Sequence, residues 1–129
     1  MDSRTETELK ALLASISEIE LAVLIGSRAS GEARPESDWD FAIQWARNLN
    51  PIDRLGKSEC LRRALARLLA VNESRVDLVE LPRAGLAMRS AVADHGRVLK
   101  GEDSLAWLRF LSRTWKDLED YQWEQDHAA

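Results

Sequence analysis

The stretch GSRASGEARPESDWD, Gly26 to Asp40, decides how this chain is read. Before it, ELAVLI (residues 20–25) is short, almost wholly apolar and stops at a glycine, the pattern of a strand buried on both faces. After it, WDFAIQW (39–45) alternates Trp39, Phe41, Ile43 and Trp45 with Asp40, Ala42 and Gln44. That is a second strand with one aromatic, buried face and an opposite face carrying Asp38 and Asp40. Alternate residues of a strand share a face and lie about 7 Å apart along it. Two carboxylates so placed repel each other and add little to stability, so the pattern calls for a cation brought from outside the sequence.

The turn supplies a complementary half. If Ile25 ends a strand and a helical turn starts at Arg28, the free backbone N–H groups near Gly26 and Ser27 make an anion site. Gly26 lets a phosphate come close, and the Ser27 hydroxyl adds a hydrogen bond. Arg28 stands beside them, either as a phosphate ligand or as a solvated charge. Two divalent ions in a phosphoryl-transfer site lie about 3.5–4 Å apart, a spacing that Asp38 and Asp40 can straddle. Magnesium suits such a set, because it takes a few carboxylates and completes its shell with water and substrate phosphates. The parts together describe a site for a metal-bound nucleoside triphosphate.

Around this centre the periodicities predict an alternation of helices and strands. Thr5 and Glu8 can form a capping box, and Leu9, Leu12, Leu13 and Ile16 follow at helical spacing, which predicts a helix over 4–17. A longer helix is expected over about 53–71, with Leu61, Leu65, Leu68 and Leu69 inward and Arg62, Arg63 and Arg67 on a solvated side or against an acidic partner. RVDLVEL (75–81) reads as a third strand, stopped by Pro82 and carrying Asp77. A short helix over 85–94, an extended GRVLK segment and a long helix over about 104–125 complete the chain. In the last helix Leu108, Leu111, Trp115 and Leu118 recur at coiled-coil-like spacing, and Trp107, Phe110, Tyr121 and Trp123 widen the apolar surface. These aromatics are expected in the core, with a protein interface as the alternative.

Length and composition narrow the classes. A chain of 129 residues is read as a single domain, residues 1–129, too short for a catalytic domain plus a substantial substrate domain. Its net charge of −4 lacks the basic footprint of a nucleic-acid binder. Cys60 stands alone, which excludes an internal disulfide, and His95 and His127, expected to be structural or exposed, cannot build a zinc site. No signal pattern or membrane-spanning apolar run is present, so a cytoplasmic location is expected. Gly56-Lys57-Ser58 is not a phosphate-binding loop, because such a loop needs a glycine at position 51, which is Pro51.

Gly26 and Ser27, followed after ten residues by Asp38 and Asp40, resemble the signature of the polymerase-beta nucleotidyltransferase superfamily. The GSRASGE stretch and the order of elements are similar to the minimal nucleotidyltransferases, often called MntA-like antitoxins. The resemblance implies an α+β fold with a small mixed β-sheet flanked by helices. It implies Asp77 as a third metal-holding carboxylate, able to take the proton of the attacking hydroxyl. It further implies an antitoxin that transfers AMP from ATP, with two Mg2+ ions, to a tyrosine of a cognate HEPN-domain ribonuclease toxin with which it can assemble. Transfer to a small molecule such as an aminoglycoside, and inhibition by stoichiometric binding alone, are the alternatives; direct nucleic-acid or membrane binding is not expected.

Overall fold

A computed structural model of the chain describes residues 1–128. Strand β1 (Ile19–Ile25) is the spine, because six of its seven residues are buried and helices cover both of its faces. β2 (Trp39–Trp45) and β4 (Arg97–Lys100) flank it antiparallel, and β3 (Val76–Glu80) runs parallel to β2 at the edge, giving the order β3-β2-β1-β4. The sheet is therefore mixed. A parallel pair needs a crossover, which α3 (Pro51–Leu69) supplies between β2 and β3.

Odd and even strand positions feed two cores. On one face Phe41, Ile43, Trp45, Ala22 and Leu24 pack with Leu9 and Leu13 of α1 (Ser3–Ala14) and Leu61 and Leu65 of α3. On the other, Leu21, Val23, Ile25 and Ala42 pack with Val92 of α4 (Leu86–His95) and Phe110 of α5 (Leu105–Asp126). Ala42 is fully buried, so the second face of β2 is covered and polar only toward its ends, at Asp40 and Gln44. The Arg89–Asp117 ion pair, at 2.9 Å, ties α4 to α5.

Several boundaries differ from the periodicity for capping reasons. The cap of α1 is Asp2, whose carboxylate accepts the Thr5 N–H at 2.7 Å, so Thr5 lies inside the first turn and does not begin the helix. Asn50 caps α3 by accepting from the Asp53 N–H at 2.8 Å, with Pro51 in the first turn, so this helix starts two residues earlier than its apolar stripe suggests. Lys57 and Ser58 lie inside α3, where Lys57 meets Glu18 at 2.7 Å and Ser58 accepts from the Trp45 indole.

The largest difference is in α5. The body takes up the stripe through Phe110 and Thr114, while Leu108, Trp115, Tyr121 and Trp123 are half-exposed or more. An α-helix with apolar residues most of the way round can bury only the stripe that faces its neighbours. Here α4 and the sheet meet the 110/114 stripe. His95 and His127 are both exposed, the latter stacked on Trp123.

Candidate active site

Register brings the site together. In the parallel β2–β3 ladder Asp40 is the direct partner of Asp77, between the pairs Trp39↔Val76 and Phe41↔Leu78. Paired residues on neighbouring strands project to the same side of the sheet, so the two carboxylates stand side by side. In the antiparallel ladder Asp40 is also opposite Ile25, which places the following residue, Gly26, against it.

Gly26 is held to glycine twice over. Its backbone sits at φ 75°, ψ −158°, a region that other residues enter only with strain. A Cβ there would come within 2.9 Å of Asp40 Oδ2. Directly after it, α2 (Ser27–Ser30) is a single turn that closes when the Gly26 carbonyl accepts from the Ala29 and Ser30 N–H groups. The N–H groups of Ser27 and Arg28 precede those bonds, so the turn leaves them to other partners.

Asp38 lies one residue before β2, not within it. The line of register through Trp39↔Val76 continues to Asp38 and Arg75, and Arg75 Nε donates to Asp38 Oδ1 at 2.9 Å while its Nη2 donates to the Glu36 carbonyl. The expected convergence of Asp38 with Asp40 is therefore altered. Asp40 pairs closely with Asp77, and Asp38 is turned to a guanidinium because that is the cation within its reach. Among the described residues, no three His, Cys, Asp or Glu side chains are gathered into a ready-made metal cluster.

Arg28 faces the loop. Its Nη2 donates to the carbonyls of Ser37 at 2.9 Å and Pro35 at 3.3 Å, and its guanidinium carbon lies 4.4 Å from the centre of the Trp39 ring. The guanidinium is thus engaged with protein carbonyls and an aromatic ring and is not a freely solvated charge. The side chain clasps the 31–38 loop onto β2 and so sets where Asp38 and Asp40 emerge.

Partial burial pushes the Asp40 carboxyl above its ordinary value, and the neighbouring charges of Asp77 and then Asp38 push it the same way. A cation placed among them would relieve all three effects. The donors are hard carboxylate oxygens, the kind that Mg2+ accepts. Asp77, exposed on the edge strand, also lines a cavity of about 410 Å³ between β3 and α3.

The residue that sequence reasoning missed is Arg75. Its signal was present, since a strand RVD laid parallel to DWD puts arginine beside the first aspartate. The parallel register, however, cannot be read from either segment alone.

Residues 7–105 match the family described as Polymerase beta, Nucleotidyltransferase. The protein adenylyltransferase MntA of Aphanizomenon flos-aquae (strain 2012/KM1/D3) is 30% identical over 105 residues, spanning 79% of this chain and 70% of that protein. Two solved structures are each 27% identical over 98% of this chain. One is a toxin-antitoxin with AMP-PNP (TM-score 0.69, 94% of that chain covered). The other is the tri-AMPylated Shewanella oneidensis HEPN toxin in complex with MNT antitoxin (TM-score 0.67, 93% covered). With its sheet order, its glycine turn and these likenesses in agreement, the chain belongs to the polymerase beta nucleotidyltransferase family.

Proposed function

We propose that this chain is an antitoxin acting as a protein adenylyltransferase, moving AMP from ATP to a tyrosine of a cognate HEPN-domain toxin. One observation carries the reading: Asp40 and Asp77 are paired across β2 and β3 directly against Gly26, at a turn with unspent N–H groups. The relatives support the nucleotide and the partner, since one is named a protein adenylyltransferase and two were solved with AMP-PNP or with an AMPylated HEPN toxin.

In this reading Asp38, Asp40 and Asp77 would hold two Mg2+ ions, Asp38 being free to do so once released from Arg75. Bound there, the ions supply charge stabilisation to the phosphates of ATP. Gly26 leaves room for the triphosphate, and the Ser27 and Arg28 N–H groups with Ser27 Oγ donate to its oxygens. Arg28 keeps the 31–38 loop in place. The tyrosine oxygen bonds to the α-phosphorus, the bond from that phosphorus to the bridging oxygen breaks, and pyrophosphate leaves in line. Asp77, at the open edge of the sheet, accepts the tyrosine proton. The reaction belongs in the cytoplasm, where ATP is available.

The test is the intact mass of the toxin after incubation with this protein, Mg2+ and ATP. A gain of one or more AMP units, lost with Asp38→Asn, is the expected result. An unchanged toxin mass despite a stable complex would replace the catalytic reading with stoichiometric inhibition. Transfer to an aminoglycoside and none to protein would replace it with small-molecule modification.

A further inference from the structure

Asp40, Ala42 and Gln44 share the sheet face on which α5 packs. Gln44 is four residues beyond Asp40, about 13 Å along the strand at about 3.3 Å per residue. There, at the end of the face away from the carboxylates, lies a cavity of about 780 Å³, walled by the end of β2, the Glu80–Arg83 turn and the first half of α5. It is within the roughly 300–1,000 Å³ range of small-ligand sites.

The charge of this cavity opposes that of the chain. Arg47, Arg54, Arg83, Arg109 and Arg113 line it against Glu20 and Glu80, a surplus of three positive charges in a protein of net charge −4. Arg54 and Arg83 share Glu80, at 2.9 and 3.3 Å, and Glu20 accepts from the Gln44 amide at 2.9 Å. Arg47, Arg109 and Arg113 are exposed and have no ion-pair partner among the described residues. Arg109 and Arg113 are one helical turn apart on the same side of α5, so two guanidinium forks can address one anion. Pro82 and Ala106, both with accessible surface, give the same cavity an apolar wall. Guanidinium groups beside a flat apolar surface suit a phosphate joined to a purine.

We infer that this cavity binds an adenylate already attached to the acceptor, with its phosphodiester on Arg109 and Arg113 and its base against the apolar wall. The inference rests on the protein adenylyltransferase reading. An unmodified acceptor brings no phosphate to these arginines, whereas the product of one transfer brings both a phosphodiester charge and a purine. The once-modified acceptor is thus held more tightly than the unmodified one. Before release, a second hydroxyl oxygen of that acceptor bonds to the α-phosphorus of another ATP, the bond from that phosphorus to the bridging oxygen breaks, pyrophosphate leaves and the hydroxyl proton passes to Asp77. The relative solved with a tri-AMPylated toxin shows an acceptor that carries several such groups.

Two measurements test this. The first is calorimetric binding of adenylyl-O-tyrosine amide, AMP and tyrosine amide to wild type and to the R109E/R113E variant, with R109Q/R113Q as a milder change. Wild type should bind the adenylylated amide, and charge reversal should weaken it about tenfold or more, the cost of losing charge-assisted hydrogen bonds. No binding by wild type, or equal binding by the variant, overturns the site whether or not the protein transfers AMP.

The second is the mass ladder of the toxin under limiting enzyme. The ratio of second to first transfer rates should fall about tenfold in R109E/R113E, so that singly modified toxin accumulates. An equal fall in both transfers would assign the arginines to ATP or to the unmodified acceptor. An unchanged ladder with weakened AMP binding would make the cavity a free-nucleotide site. Either result overturns the attached-adenylate assignment. Binding of the adenylylated amide without any transfer to toxin would instead refute the adenylyltransferase reading and leave the site standing.

Discussion

Asp40 ionises against opposition. Burial and the charges of Asp77 and Asp38 hold its carboxyl above the ordinary value in the folded chain, so the unfolded chain gives up this proton at lower pH. The sign follows from linkage: a raised acid opposes folding where it is ionised, and the opposition disappears as pH falls below the ordinary carboxylate value, where both states are protonated. Asp40→Asn should therefore raise the melting temperature by a few degrees at neutral pH, with a gain that shrinks on acidification, while transfer is lost. A melting temperature that falls at neutral pH would show that the carboxylate serves stability. Gly26 makes the opposite trade. Gly26→Ala adds strain at φ 75° and a Cβ 2.9 Å from Asp40 Oδ2, and should cost about 1–3 kcal/mol in denaturant unfolding and abolish transfer. Gly31→Ala is the control, since Gly31 has φ 82° but nothing within 4 Å of the added atom. The difference between the two variants combines the close approach to Asp40 with the harsher backbone region of Gly26, because Gly31 at ψ 7° is left-handed helical whereas Gly26 is at ψ −158°.

At the scale of elements, legibility followed the range of the interactions. β2 is bounded in the structure as its alternation predicts, Trp39 to Trp45, because period two is written in consecutive side chains. The turn at Gly26 was legible for the same reason, as its glycine and hydroxyl are adjacent in sequence. The pairing of Asp38 with Arg75 and the clasp of Arg28 were not. Each depends on a partner chosen by geometry over spans as long as the 37 residues between Asp38 and Arg75. The periodicity of α5 was also ambiguous, and packing selected the stripe through Phe110 and Thr114. That choice has a measurable consequence. Thr114 is fully buried and its hydroxyl has no hydrogen-bond partner among the described residues. Thr114→Val keeps the shape and removes the unpaired group, so it should stabilise the fold by about 1 kcal/mol in chemical denaturation. A loss of similar size would mean that the hydroxyl has a partner in solution.

For the molecule as a whole, the division of α5 separates a part that holds the fold from a part that does not. Phe110 and Thr114 are buried, Leu118 is half-buried, and every described residue from Glu119 onward is exposed, Tyr121 and Trp123 included. The last turns are helical because they continue an anchored helix; an isolated segment of that length is marginal in water. Removing 119–129 should therefore shift the melting temperature by no more than about 2 °C, as expected where little surface is buried. Ending the chain after Arg109 removes both buried anchors and the Asp117 contact to Arg89, and should abolish cooperative unfolding. Circular dichroism melts of the two truncations decide the matter. A large loss of stability in the shorter deletion would show that the exposed end packs on the body in solution. With the fold intact, a loss of AMP transfer to the toxin in that deletion would report a missing contact with the partner, because the carboxylates, the glycine turn and the arginine-lined cavity all lie in the part that remains.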